Sequence, residues 1–317
     1  MLAARRKAPI TRRRPAMTTL KSVRAAIVLV LLAGAPALAS TTGRLPDAIC
    51  VHPDTILAHG FEAQAQRYFE PSNGSGGAAQ GGARFVLVPG YGNKKYYSYV
   101  PYAYSPSRPM PMLLLLHGTG GPGTADNYAN SLVLQWRPVA DDARVIVVAA
   151  VGNASDGGWI VPPSNMPTDY DMFRAILADM KSAYNIDGSR IHGWGYSSGG
   201  SVMNDLVFGP YSSGIDIDTF AGLGNWAGGL DGLACSSEPA CVQLIAAAPR
   251  MLPIDLHVGI NDSASRPHVL ADYSRFQNAG WLPESNLWYR ETNGGHEYIP
   301  AYFPEIWDHL CPFQRLP

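Results

Sequence analysis

Gly195-Tyr196-Ser197-Ser198-Gly199 constrains the fold of this chain more than any other segment, because it sets a serine at a turn that few residues tolerate. Arg190-Ile191-His192-Gly193-Trp194 before it reads as a short strand, and Gly200–Phe208 after it carries apolar residues at helical spacing. A strand, then G-x-S-x-G, then a helix is the local context of a nucleophile elbow. The flanking glycines lack a Cβ, so strand and helix can close tightly around Ser197. By itself the pentapeptide could also be an ordinary Gly/Ser-rich turn, and the rest of the chain has to decide.

From Arg84 onward strands and helices alternate. Arg84–Val88 and Lys95–Pro101 predict an early hairpin. Met112–Leu116 and Val145–Ala150 are unbroken apolar runs, as in strands buried on both faces. Leu132–Ala140 predicts a helix between them. After Thr168 or Asp169 as cap, Met172, Phe173, Ile176, Leu177, Met180 and Tyr184 recur at helical spacing. Thr219–Leu223, Ile254–Val258 and Leu287–Glu291 predict later strands, and His268–Phe276 and Phe303–Leu310 later helices. Such alternation predicts an α/β fold with a mostly parallel central sheet and helices on both faces. With 317 residues, 46% of them hydrophobic and 15% charged, the chain can bury a large core.

The first 39 residues read as a targeting segment rather than as part of that fold. Lys21 and Arg24 precede the apolar run Ala25–Ala33, and Ala37-Leu38-Ala39 offers small residues where a signal peptidase cuts. The run is short for a membrane span, so no stable anchor is expected after cleavage. Residues 1–16 form an arginine-rich upstream extension, with Met17 as a second candidate initiator. Export to the periplasm or the medium follows as the expectation. The segment holds eight of the 24 Lys/Arg and no acid, so the remainder carries 16 bases against 25 acids, a net charge of −9. That balance gives no electrostatic case for nucleic acid or an anionic membrane as partner. Residues 40–83 read as a leader ending in the Gly/Ser-rich linker Pro71–Gly82, and 84–317 as the folded domain.

Export fits the four cysteines. Cys235 and Cys241 flank a short loop that a local disulfide could close, and Cys50 and Cys311 lie near the two ends of the expected mature chain. Four cysteines allow three pairings, and the sequence does not choose among them. No C-x-x-C pair or histidine at ligand spacing supports a metal site, and no cofactor motif is present.

Three further features converge on Ser197. A serine hydroxyl needs a base to remove its proton and an acid to orient that base. His296, in the loop Asn293-Gly294-Gly295-His296-Glu297 after the last strand, is the candidate base. Asp262, in the turn leaving Ile254–Val258, is the candidate acid, with Asp255 and Asp272 as rivals. The order Ser, Asp, His differs from that of chymotrypsin-like and subtilisin-like enzymes. Asn261-Asp262-Ser263 also matches a glycosylation sequon, read as coincidental because a glycan there would obstruct the site. His117-Gly118-Thr119-Gly120-Gly121 follows the strand Met112–Leu116. Its Thr119 N–H, with the N–H of Ser198, offers the two donors that a tetrahedral oxyanion needs. His117 itself is read as structural. A phosphate-binding loop is excluded there, since neither Gly-Lys-Ser/Thr nor G-x-G-x-x-G opening a helix is present. Trp159 and Trp226, each in a Gly-containing loop that could overhang the site, are candidate walls of a substrate pocket.

From about Lys95 to Leu310 the chain resembles the α/β-hydrolases, and within them the secreted polyhydroxybutyrate depolymerase and feruloyl esterase-like group. The resemblance rests on the His117-Gly118 loop, the Asp169–Phe173 helix start, Tyr184-Asn185-Ile186-Asp187, the elbow, Gly259–Asp262 and Gly295-His296. It implies Ser197 as nucleophile, Asp262 as acid, His296 as base, and Thr119 and Ser198 as oxyanion donors. It implies a carboxylic ester as substrate, small or polymeric. Two departures stand out: related enzymes often carry a cysteine in the oxyanion loop where this chain has Thr119-Gly120-Gly121, and no polymer-binding domain follows the catalytic one. A peptidase, an acyltransferase or a non-catalytic binding protein on the same scaffold are the alternatives.

Overall fold

The computed structural model describes residues 42–44 and 69–316 apart from 166, 212 and 213. The expected signal segment 1–39, Cys50 and most of the leader lie outside the described residues.

The strands are β1 (Thr42–Arg44), β2 (Gln80–Val88), β3 (Gly92–Val100), β4 (Met110–Leu116), β5 (Ile146–Ala150), β6 (Ile186–Tyr196), β7 (Gly222–Trp226), β8 (Ile254–Gly259), β9 (Leu287–Thr292) and β10 (Phe313–Arg315). The helices are α1 (Ala125–Ala143), α2 (Asp169–Ala183), α3 (Ser198–Phe208), α4 (Glu238–Ala246), α5 (Arg266–Asn278) and α6 (Phe303–Leu310). Eight strands form one sheet in the order β2-β3-β5-β4-β6-β7-β8-β9. The β2-β3 and β3-β5 pairs are antiparallel, and every later pair is parallel. β1 pairs with β10 in a separate two-stranded ribbon.

Met112–Leu116 and Ile146–Ala150 are fully buried, as unbroken apolar runs require. On one face of the sheet Trp136 of α1 stacks on Phe303 of α6 at 4.2 Å, and Trp194 of β6 meets both rings edge-on. On the other face lie α2, α3 and α5, joined by Tyr170 donating to Asp205 and by Phe208 against Phe276. The parallel strands all end on one edge, which carries the loops after β4, β6, β8 and β9.

Three local readings need correction. The strand expected at Thr219–Leu223 runs instead from Gly222 to Trp226. Its expected start is occupied by a 3-10 turn, Ile217–Thr219, where the Asp216 carboxylate accepts the Asp218 N–H at 3.0 Å. The loop between Cys235 and Cys241 leads into α4, which the sequence reading does not contain; Pro239 sits in its first turn, where a missing N–H costs nothing. Cys235 and Cys241 are disulfide-bonded, and Cys311 is also in a disulfide.

The Gly/Ser-rich stretch 71–82 is no free linker. Ser72 N–H donates to Ile186 O at 2.9 Å, Gly77 N–H to Ala183 O at 3.0 Å, and Gln80 already begins β2. A Cβ on Gly74 would fall 2.4 Å from the Tyr184 carbonyl oxygen, and one on Gly77 would fall 2.6 Å from the Tyr184 ring. Glycine here serves close approach to the end of α2, not flexibility.

The core holds a histidine with a testable cost. His192 of β6 is fully buried against Trp307, and neither ring nitrogen has a hydrogen-bond partner among the described residues. Burial, aided by the charge of Arg190, pushes its imidazole down to about 3. Between pH 6.5 and that value the unfolded chain binds a proton that the fold excludes, so stability is lost as pH falls. His192→Leu lacks the group and should gain on the parent by about 1.4 kcal/mol per pH unit from pH 6.5 to 4. Urea denaturation of both proteins at stepped pH checks this; a gap independent of pH would sink it.

Candidate active site

Ser197 leaves β6 with φ 54° and ψ −124°, a region where a non-glycine residue is strained and persists only if its surroundings hold it. They do: its N–H donates to Trp226 O at 2.7 Å and its carbonyl accepts the Ser201 N–H at 3.0 Å. A Cβ on Gly195 would lie 2.4 Å from Gly199 O, and one on Gly199 would lie 2.4 and 2.5 Å from the carbonyl oxygens of Leu116 and His117. Both elbow glycines are therefore needed for strand end, helix start and the β4 loop to meet.

Ser197 Oγ lies 2.8 Å from His296 Nε2, and His296 Nδ1 lies 2.7 Å from Asp262 Oδ2. The loops that carry His296 and Asp262 ride on one another. Ile260 N–H donates to Thr292 O at 2.8 Å, Asn261 N–H donates to Gly294 O at 2.9 Å, and a Cβ on Gly259 would fall 2.1 Å from Gly295 O. Asp262 is only 3% exposed. Burial raises its carboxyl, but the Ser265 N–H, 2.9 Å from Oδ1, and His296 outweigh this and hold it below the ordinary range. An ionised Asp262 accepts from Nδ1–H, which leaves the Nε2 lone pair facing Ser197. A hydroxyl, an imidazole and a carboxylate chained in this way can activate the hydroxyl as a nucleophile.

The rival acids do other work. Asp255 lies in β8, 2.5 Å from both His257 Nε2 and His309 Nδ1. Asp272 accepts from the Leu230 N–H at 2.8 Å and from Arg275 at 2.5 Å. Two contacts of His296 escaped the sequence reading. The Tyr196 hydroxyl donates to His296 O at 2.5 Å, and Ser265 Oγ lies 3.1 Å from His296 Nδ1. Tyr196 stands in the elbow itself, but nothing in the sequence ties it to a carbonyl 100 residues later.

The loop after β4 passes beside Ser197: a Cβ on Gly118 would lie 3.1 Å from Ser197 Cβ. Thr119 Oγ1 lies 2.8 Å from Ser198 Oγ. His117 braces this loop from within. Its Nε2 accepts the Gly152 N–H at 3.0 Å, so the ring proton sits on Nδ1, 2.9 Å from Gly118 O. Burial pushes its imidazole down to about 4, so it stays neutral. Trp159 is half-buried and braces the same loop: its Nε1–H donates to His117 O at 3.0 Å and its ring lies 4.4 Å from that of His117. Trp226 is not on an overhanging loop. It ends β7, fully buried and stacked on His257, and its carbonyl accepts the Ser197 N–H.

No protein-family model matches the chain, and no curated protein sequence does. Solved structures do match. A thermostable esterase is 20% identical with a TM-score of 0.54, over 74% of this chain and 63% of that one, so the chain spans under two thirds of that relative. A feruloyl esterase module from Clostridium thermocellum, complexed with sinapinate, is 17% identical with a TM-score of 0.54, over 80% of this chain and 96% of that one. A poly(3-hydroxybutyrate) depolymerase from Bordetella parapertussis is 19% identical with a TM-score of 0.50, over 74% and 90%. At such identities the likeness speaks for architecture, and with the strand order and the elbow at the end of β6 it makes this chain a member of the α/β-hydrolase fold.

Proposed function

We propose that the chain is an exported serine esterase that hydrolyses carboxylic esters through an acyl-enzyme. The reading rests above all on the two hydrogen bonds that chain Ser197, His296 and Asp262, at 2.8 and 2.7 Å, on the edge of the sheet where the parallel strands end. His296 Nε2 takes the Ser197 proton as Oγ attacks the ester carbonyl carbon. The carbonyl π electrons move to oxygen, and the N–H groups of Thr119 and Ser198 receive the oxyanion. Collapse of that intermediate breaks the bond to the alcohol, which leaves with the proton held by His296. Water then repeats the sequence on the acyl-enzyme and releases the carboxylic acid, while Asp262 stabilises the imidazolium at each stage.

His296 is exposed and Ser197 half-buried, so the nucleophile opens to solvent. An open site suits polyhydroxyalkanoate oligomers or polymer and feruloyl-type esters alike, the classes that the named neighbours bring to mind. Export is supported by the disulfides and by the signal-like composition of the first 39 residues.

A fluorophosphonate probe followed by peptide mapping tests the reading, alongside a panel of short-chain aryl, feruloyl and 3-hydroxybutyrate esters and a matched set of amides. Labelling at Ser197 with ester turnover is the expected result. No labelling would make the chain a binding protein on this scaffold, and faster cleavage of amides would make it a peptidase.

A further inference from the structure

Building on that esterase reading, we infer that the side chains of Thr119 and Ser198 complete the oxyanion hole: their mutual hydrogen bond fixes its width, and their spare proton is a third donor to the substrate oxygen. The two backbone donors of the hole belong to separate segments 79 residues apart, the loop after β4 and the first turn of α3. Something must hold the gap between them constant, since a donor displaced by a fraction of an ångström loses much of its value to a transition state. The hydroxyl pair spans that gap directly, at 2.8 Å, an ordinary O–H···O length. Thr119 is exposed and Ser198 half-exposed, so water competes for both groups. What resists is preorganisation. Thr119 is β-branched and stiff at χ1. Gly158 packs behind it so closely that a Cβ there would lie 2.4 Å from Thr119 Oγ1. Ser198 is fixed by the strained elbow next to it.

The proton count carries the second half of the argument. Two hydroxyls hold two protons, and their mutual bond uses one. Among the described residues neither hydroxyl has a second hydrogen-bond partner. The accepting hydroxyl therefore has a proton to give, beside the nucleophile. Such a donor gains strength as negative charge builds on the substrate oxygen, so it acts on kcat and little on KM.

Thr119→Val keeps the shape of the side chain and removes the hydroxyl; Ser198→Ala removes its partner. On p-nitrophenyl butyrate each is expected to lower kcat by about 10- to 100-fold with KM changed less than about threefold. Because the two act as a unit, the double variant should be no more than about threefold slower than the worse single. Thr119→Ser restores the hydroxyl and should run at least about fivefold faster than Thr119→Val. Thermal midpoints of all four exclude general unfolding as the cause. A kcat loss below about fivefold in either single variant, losses that multiply in the double, or a Thr119→Ser variant as slow as the valine would each overturn the inference. If the parent protein neither labels at Ser197 nor turns over esters, the esterase reading fails and this one with it. An active parent with unaffected variants overturns this inference alone.

Discussion

Replacing Ser197 by alanine is expected to lower kcat/KM on an aryl ester by about 10⁴-fold or more, because the acyl-enzyme can no longer form and only general features of the site remain. Removing His296 in the same molecule should cost little further, since the proposed base and nucleophile act as one unit. Stability is the second readout. Alanine at φ 54° is as strained as serine, so Ser197→Ala should unfold close to the parent. Ser197→Gly removes the Cβ that makes this φ costly, and should be as inactive yet more stable by about 1 kcal/mol. Denaturant midpoints of the three proteins check this order. A glycine variant no more stable than the alanine variant would mean that the elbow stores no strain, and undiminished ester turnover in either would remove Ser197 from the chemistry.

Much of this molecule was legible from the sequence, and the parts that were not have two causes. Strands buried on both faces announce themselves as unbroken runs, which is how Met112–Leu116 and Val145–Ala150 could be read. The elbow, Asp262 and His296 were legible because each follows a strand, and parallel strands deliver their following loops to one edge. Gly222-Leu-Gly-Asn-Trp226 misled because glycine and asparagine signal a loop. In the fold Gly224 leaves space for Trp194, whose Cδ1 would meet its Cβ at 2.6 Å, and Asn225 pins the elbow by donating to Gly200 O. The stretch 71–82 misled for the same reason: glycine for close approach and glycine for flexibility look alike in a sequence. Contacts such as Tyr196 with His296 O and Thr119 with Ser198 join residues far apart in the chain, and no local pattern records them.

That ambiguity makes Gly199 a sharp test of what its glycine is for. Its backbone does not need glycine's freedom, for its φ is not positive; the constraint is space. A Cβ there would meet the carbonyl oxygens of Leu116 and His117 at 2.4 and 2.5 Å, and these are main-chain atoms at the start of the β4 loop that cannot swing aside. His117 O is further fixed by the Trp159 indole N–H at 3.0 Å. Gly199→Ala must therefore push the β4 loop away from α3 and widen the gap between the proposed oxyanion donors, the N–H groups of Thr119 and Ser198. Overpacking of this kind costs about 1–3 kcal/mol of stability. A displacement on the order of 1 Å should lower kcat/KM by about 10²-fold. Gly193→Ala is the control, since its Cβ would meet first the Met203 thioether at 2.6 Å, the end of a flexible side chain on α3. Repacking of methionine makes that change cheaper on both readouts. Melting curves and ester kinetics on the pair decide the matter. A Gly199→Ala protein that melts with the parent and keeps its activity would mean that α3 and the β4 loop do not meet as closely as described, whereas equal losses in the two variants would trace the effect to the core beneath the elbow rather than to the loop beside it.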